Sequence, residues 1–158
     1  MESISSLINF NLEQVITDFI RIAIAFALAL PIAWERSQRQ RNIGLRTFPI
    51  VAIASCGFML TIRSLPGAGA DAQARVIQGL LTGIGFIGGG AILKNDLQVL
   101  GLATAASIWN TAAIGAAVAL QREEIAIVLS LTNFLTLRLL TPLIQRNPTE
   151  HGNEVPGK

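Results

Sequence analysis

The eighteen residues from Val76 to Leu93, VIQGLLTGIGFIGGGAIL, carry no formal charge and include six glycines. That length approaches the ~20 apolar residues needed to cross a bilayer as a helix. In water each glycine would weaken a helix by about 1 kcal/mol relative to alanine. In lipid, where the tails already satisfy apolar surface, small residues instead let helices approach closely. On an ideal helix Gly79, Gly83 and Gly90 share one face, and Gly85, Gly88 and Gly89 lie roughly opposite. Two small-residue faces predict a helix sandwiched between neighbours, with Gly88–Gly90 as the place where backbone loosens.

Composition carries this reading to the whole chain. Charged residues make up 14% and hydrophobic residues 51% of 158 residues, against about 25% charged in soluble proteins. Four more segments, 15–34, 47–62, 102–120 and 124–144, are long and apolar enough to cross. The expected fold is all-α: a polytopic membrane protein, a bundle of five transmembrane helices over 15–146, with sequence neighbours antiparallel. Residues 1–14 read as an interfacial N-terminal segment. Ile4, Ile8, Leu12, Val15 and Phe19 recur at helical spacing, so a short interfacial helix is expected there. No basic n-region or cleavage site marks a removable leader. Residues 147–158, NPTEHGNEVPGK, read as a disordered cytoplasmic tail.

Basic residues set the orientation. Arg36, Arg39, Arg41 and Arg46 stand against one acid between Glu35 and Arg46, which places that loop in the cytoplasm. Lys94 and Arg146 fall on the same side, so the expected topology is N-terminus outside and C-terminus cytoplasmic, in the cell inner (plasma) membrane. Trp34 fits the inner aromatic belt.

Several function classes drop out. The net charge of +2, with arginines at helix ends, forms no stripe for nucleic acid. Cys56 is the sole cysteine and His151 the sole histidine, lying in the tail, so neither a disulfide nor a histidine metal site is indicated. The glycine run has no preceding strand and no Gly-Lys-Ser/Thr ending, so it is not a phosphate loop. No nucleophile–base pair stands out; neither an enzyme nor a cofactor is expected.

Charges inside a bilayer each cost at least ~2.5 kcal/mol near its centre unless paired or hydrated. Asp18 and Arg21 are neighbours on one face of the first helix, either an ion entry site or an interfacial ion pair, the latter favoured by spacing. Arg138 is expected to snorkel to the cytoplasmic headgroups. Glu35 follows Pro31, where a kink is expected. It meets Arg36 and is within reach of Arg46; such a carboxylate orders a loop or offers oxygen to hydrated Mg²⁺, while the spacing alone favours a solvated cytoplasmic rim. Thr104, Ser107 and Thr111 form a polar stripe on the fourth span, continued by Gly115, with Asn110 beside it. Gln78 and Thr82 of the third span and Thr132, Asn133 and Thr136 of the fifth are the residues that could face it. The stripe reads as interhelical hydrogen bonding ahead of a wet path. Trp109 reads as a packing anchor or pocket wall.

Three stretches together, WERSQRQRNIGLRT at 34–47, RVIQGLLTGIGFIGGGAIL at 75–93 and GLATAASIWNTAAIG at 101–115, resemble the MgtC/SapB family of bacterial membrane proteins. The resemblance implies five helices and a role around Mg²⁺, whether as magnesium transporter or as a regulator acting on another membrane complex such as ATP synthase. It draws attention to Glu35, Arg36, Gly44, Arg46 and Thr47, then to Gln78, Gly79, Thr82, Gly83, Gly85, Gly88, Gly89 and Gly90, and then to Gly101, Thr104, Ser107 and Trp109. Where the family usually reads Val-Arg-Gly-Leu-Thr-Thr, this chain has Val99-Leu100-Gly101-Leu102-Ala103-Thr104, so a charge at 100 is missing. Many members also carry an ACT-like soluble domain after the fifth helix, and this sequence stops before it.

The resulting expectation is Mg²⁺ transport, with Glu35, and with it Asp18, as carboxylate contacts, Thr82, Thr104, Ser107 and Thr111 along the path, and Glu35 as the metal contact. The rival is a non-transporting module that binds another membrane complex through its small-residue faces; separately, those faces make a homo-oligomer expected.

Overall fold

The computed structural model describes residues 11–39, 44–67, 69–95 and 98–145. Among them are five helices and one hairpin: α1 (Leu12–Arg39), α2 (Thr47–Ser64), α3 (Ala70–Gly90), β1 (Leu93–Asn95), β2 (Gln98–Leu100), α4 (Leu102–Ala119) and α5 (Glu123–Gln145). By length and composition α1, α2 and α4 are able to cross a membrane. α3 and α5 have 21 and 23 residues.

α1 is a single helix of 28 residues that runs through Pro31. Asn11 caps it, its Oδ1 accepting from the backbone N–H groups of Glu13 and Gln14 at 3.1 and 3.3 Å. The expected interfacial helix is therefore not separate where the chain is described: Leu12, Val15 and Phe19 belong to α1, while Ile4 and Ile8 lie outside the described residues. The tail from 147 does as well.

α3 stops earlier than its uncharged run. The N–H groups of Ala91 and Ile92 reach back three residues to the carbonyls of Gly88 and Gly89, both at 3.1 Å, and tighten the final turn. The chain then forms an antiparallel hairpin, Leu93 opposite Leu100 and Lys94 opposite Val99, where a plain turn was expected. Gly101 ends the hairpin at φ 89, and a Cβ there would collide with the Ala91 carbonyl.

α4 is the centre of the bundle, packing against α1, α2, α3 and α5. Its alanines and Gly115 make this approach feasible: a Cβ on Gly115 would run into the carbonyl oxygen of Ala52 on α2. The core follows, with Ile108, Ala112, Ile114 and Val118 of α4 buried among Ala29, Phe48, Ala52 and Cys56. α3, expected to be sandwiched, instead leans on α4 and α2 from the rim of the bundle. Only Ile84 and Gly88 of α3 are buried. Small residues mark a helix that can be approached closely, and within one chain just one side of α3 is.

Candidate functional site

Near the C-terminal end of α1, Glu35 and Arg36 are buried, as are Thr104, Ser107 and Thr111 of α4. Glu35 occupies the last turns of a long apolar helix, so its carboxylate is carried into the bundle instead of ending in a loop. Its Oε2 accepts from Arg138 Nη1 of α5 at 3.4 Å. The side chains differ in surroundings: that of Glu35 is 4% exposed and that of Arg138 is 65% exposed. Arg138 thus has a partner within the protein as well as access outward, where headgroup snorkelling alone was expected. Arg46, the partner anticipated from the loop, is exposed.

The hydroxyl stripe is directed inward. Thr111 Oγ1 donates to the Ser107 carbonyl at 2.7 Å. Ser107 Oγ lies 2.8 Å from the Ala103 carbonyl and 3.2 Å from Asn133 Oδ1 on α5, and its one proton serves a single acceptor at a time. Ser107 to Asn133 is a link between helices, whereas the Thr111 hydroxyl turns to the backbone of its own helix. Asn110 adds a donor to the Leu129 carbonyl at 3.2 Å, and Ser130 Oγ bonds the Leu28 carbonyl of α1 at 2.6 Å. Serine in the apolar run of α5 was the available signal for that last tie. Of the other residues considered for the stripe, Thr82 and Gln78 are exposed on α3, and Thr132 and Thr136 are exposed on α5. Thr82 Oγ1 bonds the Gln78 carbonyl at 2.9 Å. Trp109 is 51% exposed, so it anchors no core within this chain.

The family-like glycines divide by the space around them. Gly44 is packed on α1: a Cβ would lie 2.5 Å from the Ala33 carbonyl oxygen and 2.6 Å from the Ser37 nitrogen. Gly88 faces Ala105 of α4, and Gly101 needs its positive φ. At Gly79, Gly83, Gly85, Gly89 and Gly90 a Cβ would meet nothing within 4 Å.

A second polar group forms at the opposite end of the bundle. Asp18 and Arg21 share a recess with Arg63, Gln14, Thr17 and Ser64. Arg21 Nη1 donates to the carbonyls of Val118 and Ala119, at 3.4 and 3.3 Å, and Arg63 donates to Ala119. Two guanidiniums therefore cap the last turn of α4, where unsatisfied carbonyls and the helix dipole favour positive charge. Neither arginine bonds Asp18 in place of these carbonyls.

No group of three or more His, Cys, Asp or Glu side chains is placed to hold a metal ion among the described residues. A cation near Glu35 would depend on one carboxylate with hydroxyl, carbonyl and water oxygens.

Long apolar helices closed around buried charge and hydroxyl groups define an integral membrane protein. Comparison by sequence gives its family: the MgtC family model matches residues 22–146, and the chain belongs to that family. It is 35% identical over 134 residues to the Escherichia coli K12 protein named "Putative magnesium transporter YhiD", covering 80% of this chain and 62% of that one. Protein MgtC of Brucella abortus is 36% identical over 124 residues, covering 78% of this chain and 51% of that one. The chain thus spans less than two thirds of either relative. No solved structure matches it.

Proposed function

We propose that this chain serves magnesium homeostasis in the bacterial inner membrane and moves Mg²⁺ across it. The observation that carries the reading is a carboxylate, Glu35, buried in the bundle toward the end where the Thr104–Ser107–Thr111 column begins. A carboxylate in such surroundings is costly to maintain without a functional reason, and the name of the E. coli relative supplies the cargo. Mg²⁺ sheds water reluctantly and binds through one or two carboxylates while keeping several waters. A single carboxylate with retained waters is enough for that mode.

In this reading all five helices cross, the N-terminus is outside and the C-terminus is cytoplasmic. Glu35 then sits toward the cytoplasmic side, and Arg138 holds it until a hydrated cation takes its place. Asp18 lies at the outer mouth. Thr82, on the outward side of α3, stands away from the path.

The test is Mg²⁺ flux into proteoliposomes holding the full chain, with Glu35→Gln as control. Saturable flux lost in that variant is expected. Absence of flux from folded, oriented protein would overturn transport.

The open side of α3 favours a second reading, a non-transporting module that docks on another membrane protein. Crosslinking from Gly83 that captures one defined heterologous partner would select it.

A further inference from the structure

The outward side of α3 combines three features that a lipid-facing surface does not require. Gly79, Gly83 and Gly90 line up on it with open space beyond each. Phe86, on the same side, is 85% exposed. Beside them, between α2 and α3, runs an apolar groove of about 460 Å³ lined by Ile50, Ser55, Phe58, Gly79, Gly83 and Ile87 among others. Ser55 is fully buried, and its hydroxyl has no hydrogen-bond partner among the described residues. Buried polar side chains are rarely left so. That hydroxyl lies behind the groove wall, so the groove presents an apolar surface to an occupant.

We infer that the occupant is a second copy of this chain, in a parallel two-fold dimer where each Phe86 ring seats in the α2–α3 groove of the other copy. Shape supports it: a cavity of about 150 Å³ already takes a benzene ring, and this groove is larger. The helical wheel supports it too. At about 100° per residue, Phe86 lies roughly 40° to one side of the Gly79–Gly83–Gly90 line, and Ile87 and Leu80 of the groove wall lie roughly 60–80° to the other. Copies sharing one topology in the membrane are related by an axis along its normal. Such an axis sets the Phe86 flank of each α3 against the groove flank of its partner. Depth agrees as well, because Phe86 lies between Gly83 and Ile87 along the helix and equal residues sit at equal depth.

The area approaches that of the smallest specific interfaces. An aromatic side chain buries about 150–250 Å². Two rings with matching groove walls therefore remove on the order of 600–1,000 Å², and contact along the glycine lines carries the total toward the ~1,200 Å² at which specific interfaces begin. Lipid tails would cover the same surface without using any glycine, whereas closely packed helices need it. The inference rests on α3 crossing the membrane as described under the proposed function, and it does not require Mg²⁺ flux.

The experiment counts photobleaching steps of the singly labelled full chain, reconstituted at a low protein-to-lipid ratio. Two steps are expected for the wild type and for Gly85→Ala, which lies off the interface. One step is expected for Phe86→Ala and for Gly83→Leu. Phe86→Ala removes an exposed ring, so its thermal unfolding is expected to match that of the wild-type monomer. A monomeric wild type, or a dimer that survives both substitutions, would overturn the inference. Cysteines introduced at Ala70 and Lys94 that label from the same side of the membrane would overturn the topology beneath it; flux is read separately.

Discussion

Glu35 of α1 and Arg138 of α5 are 103 residues apart in sequence and form one ion pair, a buried carboxylate held at 3.4 Å by a guanidinium that is itself largely outside. Removing one partner is therefore not equivalent to removing the other. Arg138→Gln withdraws one guanidinium from a carboxylate that cannot follow it outward, and its cost is expected at ~2 kcal/mol, under the range for a fully buried pair because Arg138 is itself exposed. Glu35→Gln frees an arginine that already reaches polar surroundings and should cost less, about 1–2 kcal/mol. The double variant should regain part of the Arg138→Gln loss. Thermal unfolding in detergent checks the order, and equal losses in both single variants would contradict it.

The two classes of glycine should respond in opposite directions. Gly115→Ala drives a methyl into the Ala52 carbonyl and is expected to destabilise the α2–α4 contact by about 1–3 kcal/mol. Gly85→Ala meets open space and should raise helix stability by up to ~1 kcal/mol. Unfolding midpoints of the two variants on opposite sides of the wild type are the expected result.

Gly101 holds a left-handed conformation between β2 and α4. Gly101→Ala should cost at least about 1–2 kcal/mol from the backbone alone, with the Ala91 clash added. Faster proteolysis at the 91–101 connection would report it.

Arg63 and Arg21 cap α4 together, so each should be only partly replaceable. Arg63→Met keeps the apolar stem and loses the donors; a loss of about 1–2 kcal/mol is expected, by the range for charged capping contacts. Hydrogen exchange should then quicken in the last turn of α4 and leave its first turn unchanged.

Thr111 is the sharpest test of the stripe. Its hydroxyl is committed to the Ser107 carbonyl of its own helix, so Thr111→Val should cost about 1 kcal/mol or less and leave Mg²⁺ flux within twofold. A collapse of flux would instead put Thr111 in the path.

Helix positions were legible because hydropathy and span length act locally: α4 and α5 fall within a residue or two of the segments expected at 102–120 and 124–144. The inward direction of Thr104, Ser107 and Thr111 was legible from spacing. What neighbours across the bundle do was not. Nothing in the run around Arg138 announces Glu35, and nothing near Arg63 announces the end of α4. The rim position of α3 was misjudged for a related reason: a glycine face looks the same in sequence whether its neighbour belongs to the same chain or to another molecule. The hairpin was missed because each of its strands is three residues long, too short for an alternating pattern to register.

The central place of α4 bears on how the protein is made. Ribosomes deliver the chain from its N-terminus, and α1, α2 and α3 are made before the helix that all of them pack against. Until Leu102–Ala119 arrives, Arg21 and Arg63 have no α4 carbonyls to meet and the groove along Ala52 has no Gly115 to fill it. Arrival of α4 is thus what closes the packed α1–α2 pair and α3 into one bundle. Translation halted before Leu120 would leave the first three helices open to handling by membrane chaperones and proteases.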